Sequence, residues 1–379
     1  MIGVPIARIF GIEIRVQLAW ILVLALIAAL AADEIQQAAP LLDIAVVWGL
    51  AAVVAAGFFI SSAIHDLVHA IVARSRGVAV PSIAVSFFGG STPLDPTAPN
   101  ARDDLAIAAA GPLASLGIAG AFGLLAAGAS GIGADFADLA TTLAALLVLN
   151  LLLGAVNLVP AYPLDGGRII RAVFWRRTGS ERLGWRAAAT SGRLSGLLAV
   201  GFGLYVLLLG NTTNGAMIAL SGWFLILSAR TIRDRVRVEE LIGGLHVRDA
   251  MEDASVTVHP ALTVDTFASQ LLEGESPTTA VTVTDGDAVV GIVGVRQVRG
   301  LRRDKWATTR VEGLMVKPPR MTVLSPDDDL PTAVASLTGA NLDGLPVVED
   351  GALVGVLTRP GIGRVVAARM PRTGPGRTL

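Results

Sequence analysis

Residues 43–73 read DIAVVWGLAAVVAAGFFISSAIHDLVHAIVA, an apolar run that carries His65, Asp66 and His69 near its C-terminal end. The run exceeds the roughly 20 residues that cross the hydrocarbon core of a bilayer, so it reads as a membrane-spanning helix. Ionisable side chains at such depth are costly and usually mark function. The 379-residue chain has four histidines, and two of them stand here. Residues four apart share one helix face, so both imidazoles project in the same direction.

Outward from this run the chain keeps the same character. It is 53% hydrophobic and 16% charged, with a mean hydropathy of +0.64. A soluble domain carries about 25% charged residues, so the composition is that of a polytopic membrane protein. Further apolar runs lie near 17–32, 104–128, 139–160, 189–210 and 214–230, which makes six spans with 43–73. The first run is read as a retained span, because no small-residue cleavage site follows it. A net charge of −1 points away from nucleic acid. The absence of cysteine excludes disulfides and Cys-ligated metal.

Arginine sets the orientation. Arg8 and Arg15 precede the first span, Arg74, Arg76 and Arg102 lie between the second and third, Arg168, Arg171, Arg176, Arg177, Arg182 and Arg186 between the fourth and fifth, and Arg230, Arg233, Arg235 and Arg237 follow the sixth. The alternate loops, near Asp33, Asp135 and Asn211, carry neither Arg nor Lys. All the basic loops thus fall on one side, the cytoplasmic one, together with both termini.

Two segments outside the spans have organisation of their own. Residues 78–100 are rich in Pro and Gly, and the alternation in Val78–Phe87 predicts a strand or hairpin at the membrane surface. Such a strand beside the histidines can receive an extended peptide by strand addition; as a plain surface loop it would not. Residues 245–370 contain a repeat of 64 residues: Val247-Arg248-Asp249-Ala250-Met251 recurs at Val311–Met315, and the stretch 285–293 recurs at 349–357. Each copy reads as an α/β unit, with limits of about 245–303 and 309–370, and two copies suggest a packed pair. The expected division is 1–237 for the membrane domain, 245–370 for the repeat and 371–379 for a disordered tail.

The chemistry centres on His65-Asp66-Leu67-Val68-His69. This is the H-E-x-x-H spacing of zinc hydrolases, with Asp in place of Glu. Such a site needs three protein ligands and an open position. Asp165 can be the third, since it follows a helix break made by Pro160, Pro163 and the Gly166-Gly167 pair at a similar depth. As a turn residue or helix cap, Asp165 would need no metal. Asp66 is placed as general base. Asn157 either donates to a substrate carbonyl or satisfies its own backbone.

His65–His69 together with Asn157-Leu158-Val159-Pro160 through Asp165-Gly166-Gly167 resembles the site-2 protease family of intramembrane zinc metalloproteases. Arg8–Ile12 with Trp20, Phe88-Gly89-Gly90 and Ala110–Ser115 are similar to the same family, and 245–370 resembles a tandem pair of cystathionine-β-synthase-type (CBS) domains. The resemblance implies one zinc ion held by His65, His69 and Asp165, Asp66 at the catalytic position and Asn157 holding substrate. It also implies a single-span membrane protein as substrate, a homodimer through the CBS pair, and an adenosine nucleotide as CBS ligand.

Two departures matter. Asp66 is one methylene short of Glu, which withdraws its carboxylate by about 1.5 Å, and misplacement of about 1 Å can cost roughly 10²-fold in rate. A proteolytic fold with reduced activity is therefore expected. Its alternative is a catalytically inactive metal-binding membrane protein whose working part is the CBS pair. That family's nucleotide segment, Thr/Ser-x-x-Asp, is reduced to Thr358-Arg359-Pro360-Gly361 in the second unit and absent from Gly294-Val295-Arg296-Gln297 in the first. The expected fold is a polytopic α-helical membrane domain of about six spans with a small membrane-associated β element, followed by a cytosolic α/β CBS pair.

Overall fold

The structure, a computed structural model, describes residues 3–85, 98–133, 136–253, 257–273, 279–286, 288–318, 321–340 and 342–370. It divides into two compact units, Met1–Val236 and Arg237–Leu379.

The first unit opens with strands β1 (Val4–Ile9) and β2 (Ile12–Val16), then helices α1 (Ala19–Ala38) and α2 (Ile44–Ser75), strand β3 (Ser82–Val85), and helices α3 (Ala101–Ile132), α4 (Ala137–Asn157), α5 (Asp165–Thr178), α6 (Glu181–Leu208) and α7 (Thr212–Ile242). Six of these helices, all but α5, are long and apolar enough to cross a membrane, as the sequence predicts. Three of them, α2, α3 and α6, start at a side-chain cap. Asp43 caps α2 by accepting from the Ala45 amide, and Asn100 caps α3 by accepting from Arg102 and Asp103. Large apolar side chains left exposed along the spans, such as Leu22, Leu26 and Leu30 of α1 and Leu194, Leu198 and Phe202 of α6, are those a bilayer would cover.

α5 is a helix in a segment that sequence reading treats as a basic loop. Arg176 and Arg177 in its last turn complement the helix dipole, and Gly179, at φ 70°, ends it in the left-handed conformation. α6 and α7 meet with their backbones nearly touching: a β-carbon on Gly222 would lie 2.6 Å from the Gly196 carbonyl oxygen, and one on Gly203 would lie 2.5 Å from the Ala219 nitrogen. Small residues at these points let dispersion hold the helices together where no hydrophobic effect operates.

The small sheet has the order β1-β2-β3, with β1 and β2 antiparallel and β2 and β3 parallel. Phe10 and Gly11, both at positive φ, make the two-residue turn that joins Ile9 to Ile12. Ile12, Ile14, Ile83 and Val85 pack with Phe58 and Ala70 of α2. Trp20 anchors the assembly: it is buried, donates its indole N–H to the Val85 carbonyl at 2.9 Å, and meets Phe59 edge-on. Of the strand expected over 78–87, Ser82–Val85 is extended and pairs with the N-terminal hairpin; its end and Phe88-Gly89-Gly90 lie outside the described residues.

The second unit holds β4 (Glu252–Asp253), β5 (Thr257–Val258), α8 (Val264–Glu273), β6 (Ala280–Asp285), β7 (Ala288–Gly294), α9 (Val295–Arg299), α10 (Leu330–Gly339), β8 (Gly344–Glu349), β9 (Ala352–Thr358) and α11 (Arg359–Arg369). The bounds of β8 and β9 each lie 64 residues after those of β6 and β7, so the sequence repeat is a repeat of structure. Two sheets result, β5-β6-β7 and β4-β9-β8. β4 belongs to the first copy in sequence yet pairs with β9 of the second, which ties the two copies together.

Candidate metal centre

His65 and His69, one turn apart on α2, bring their Nε2 atoms to 3.3 Å from each other. The Asp165 Oδ2 lies 3.1 Å from both. A tetrahedral zinc with bonds of about 2.0–2.1 Å places its donors about 3.3–3.4 Å apart. The three atoms thus form nearly the base of such a tetrahedron. They are the one group of three or more His, Cys, Asp or Glu donors close enough to hold a metal among the described residues.

Each imidazole is held from behind. His69 Nδ1 lies 2.6 Å from the Ile107 carbonyl oxygen, and His65 Nδ1 lies 2.9 Å from the Ser115 hydroxyl. A carbonyl only accepts, so His69 carries its proton on Nδ1 and presents the Nε2 lone pair to the centre. Gly111 lies between these two contacts on α3. A β-carbon on it would come within 2.1 Å of His69 Nε2 and 2.6 Å of His65 Nε2. Ile107, Gly111 and Ser115, spaced by four, form the face that α3 turns to the site.

Asp165 arrives from the irregular stretch 158–164 that separates α4 from α5. Its two following glycines are there for close packing: a β-carbon on Gly166 would lie 2.2 Å from the Val159 carbonyl oxygen, and one on Gly167 would lie 2.4 Å from the Tyr162 nitrogen. Burial pushes the Asp165 carboxyl up, but the His65 and His69 rings beside it outweigh this and hold the group well below the usual carboxylate range. It is a carboxylate at neutral pH, as a ligand must be.

Asp66 is not one of the three donors. It lies within electrostatic reach of His65 and Asp165 and has no hydrogen-bond partner among the described residues. Asn157, the last residue of α4, donates its amide to the Leu153 carbonyl at 2.9 Å within its own helix. No hydrogen bond among the described residues joins it to the three donors.

The family model for peptidase family M50 matches residues 134–200, which hold Asn157 and Asp165. Rip3 of Mycobacterium tuberculosis, named as a zinc metalloprotease, is 31% identical over 366 residues, covering 96% of this chain and 93% of the relative. The chain belongs to peptidase family M50, the site-2 proteases. A second relative, a zinc metalloprotease of Methanocaldococcus jannaschii, is 27% identical over 365 residues and 96% of each chain. The solved site-2 protease of that organism is 26% identical, covers 60% of this chain and 94% of its own, and has a TM-score of 0.37. Beside its M50 portion the chain carries a CBS domain, matched at 311–364.

Sequence reasoning singled out His65, His69 and Asp165, and these meet. It did not single out Ser115, the Ile107 carbonyl or the void left by Gly111 as parts of the site. Ser115 and Gly111 had a signal, their four-residue spacing on an apolar helix. A backbone carbonyl has no side-chain signature.

Proposed function

We propose that the chain is a zinc-dependent intramembrane endopeptidase acting on single-span membrane proteins, with both termini and the CBS pair in the cytoplasm. The observation that carries this reading is the triangle of His65, His69 and Asp165 donors at the end of a long apolar helix. Zinc held there would polarise the scissile carbonyl and acidify water.

The chain's own residues do the rest. His65, His69 and Asp165 hold the ion, kept in place by Ser115 and the Ile107 carbonyl. Asp66 takes a proton from the attacking water and returns it to the leaving amine. Asn157 turns its amide from Leu153 to the substrate carbonyl. The segment 78–94 pairs with a locally unwound substrate; the position of β3 at the edge of its sheet among the described residues supports this. The basic loops support the cytoplasmic placement.

The CBS pair we assign to dimerisation or gating rather than nucleotide sensing. Thr358 is fully buried; its hydroxyl donates to Glu252 Oε2 at 2.8 Å and accepts from the Gly361 amide, and Glu252 is also paired with Arg364. In the first copy Gly294 stands at the matching position, and two residues on the Arg296 amide donates to Asp343 of the second copy. An adenosine nucleotide would find these groups already engaged.

The test is cleavage of a single-span substrate by the purified full chain in detergent with zinc. Cleavage that is lost in His65→Ala and with a chelator supports the protease. Metal binding without cleavage supports the second reading, a silent scaffold, which the missing methylene at Asp66 favours.

A further inference from the structure

Asp104 and Arg171 are 0% and 1% exposed, two opposite charges fully withdrawn from solvent. Arg171 Nε donates to Asp104 Oδ2 at 2.9 Å, and a second guanidinium nitrogen donates to Oδ1, closing a two-pronged fork. The guanidinium lies over the Trp185 ring of α6, 4.2 Å from its centroid. Behind it, a β-carbon on Gly184 would meet the Arg171 carbonyl at 2.5 Å, so α5 and α6 are in backbone contact.

The position of the fork in the fold is what gives it meaning. Asp104 stands on α3 one turn before Ile107, whose carbonyl holds His69. Arg171 stands on α5 six residues, about 9 Å along the helix, after Asp165. α3 therefore carries the supports of both imidazoles, α5 carries the third donor, and the fork joins the two helices. The connection that brings Asp165 from α4, residues 158–164, is irregular and packs on the first turn of α5 through Gly166 and Gly167; the fork adds a tie from α5 to α3 itself. A buried ion pair is a poor source of net stability, because desolvation offsets its attraction. Its planar, two-pronged geometry does fix the register of one helix against another.

We propose that Asp104 and Arg171 are positioning residues of the metal centre: the fork sets α5 against α3 so that the Asp165 carboxylate meets His65 and His69. The proposal rests on the zinc reading above.

The test is cobalt binding by the full chain in detergent, read by visible absorption and by competition with a chelator. Metal-free melting temperature is measured in parallel. Arg171→Lys keeps the charge and loses the fork and the ring contact. The double variant Asp104→Leu with Arg171→Met replaces the pair by apolar packing. Both are expected to melt within about 4 °C of the parent and to bind cobalt about 10–100-fold more weakly, with altered visible bands. Parental affinity in either variant overturns the proposal. So does an affinity loss that follows a fall in melting temperature in both, which would make the pair merely structural. His65→Ala sets the background. If the parent binds no better than it does, the zinc reading itself fails and the proposal with it.

Discussion

Gly111 packs so closely on His69 that a β-carbon would stand 2.1 Å from the imidazole Nε2. The space a side chain would fill is the space beside the donor atoms. Gly111→Ala should therefore be read as a metal-site variant, although residue 111 has no side chain to contribute. The neighbouring contact to His65 Nε2, at 2.6 Å, means that no shift of one imidazole alone relieves the clash. Zinc content per chain, measured after dialysis against a weak chelator, is expected to fall to the level of His65→Ala. Parental zinc content would show that α3 can move away without cost.

Ser115→Ala should weaken zinc binding without unfolding the chain. The substitution removes only the hydroxyl that meets His65 Nδ1. Groups that orient a ligating histidine typically account for about 10–100-fold in metal affinity. A competition titration on the full chain measures it, and a change below twofold would contradict the role.

Asp66→Glu should raise cleavage of a single-span substrate by about 10²-fold at unchanged zinc content. The added methylene carries the carboxylate forward by about one bond, and misplacement by about 1 Å costs roughly that factor. Because Asp66 is not among the three donors, metal binding is expected to stay put. Equal rates for the two forms would show that the shorter acid already reaches its proton.

Thr358→Val should loosen α11 in the second unit. The hydroxyl caps that helix through the Gly361 amide and also donates to Glu252. Loss of a cap costs about 1 kcal/mol, and the buried site offers no water in exchange. Amide hydrogen exchange on the full chain should be faster over 359–369, with β6 and β7 of the first copy unaffected.

Much of this protein is legible in its sequence. The spans show because a bilayer demands long apolar runs, a constraint written directly into composition. The repeat shows because both copies bury the same strands. His65 and His69 show because a helix places residues four apart on one face. What sequence order does not carry is who stands opposite whom. Asp165 could have been a turn residue until α5 brought it to 3.1 Å from both imidazoles. α5 itself read as a basic loop, since its arginines mask a helix whose first turn is packed through Gly166 and Gly167. Ser115, the Ile107 carbonyl, the void at Gly111 and the Asp104–Arg171 fork became visible only when α3 was laid across α2 and α5. Local periodicity determines each helix and the face it presents. The geometry of a metal centre is a set of distances between helices, and those arise from packing between residues far apart in the chain.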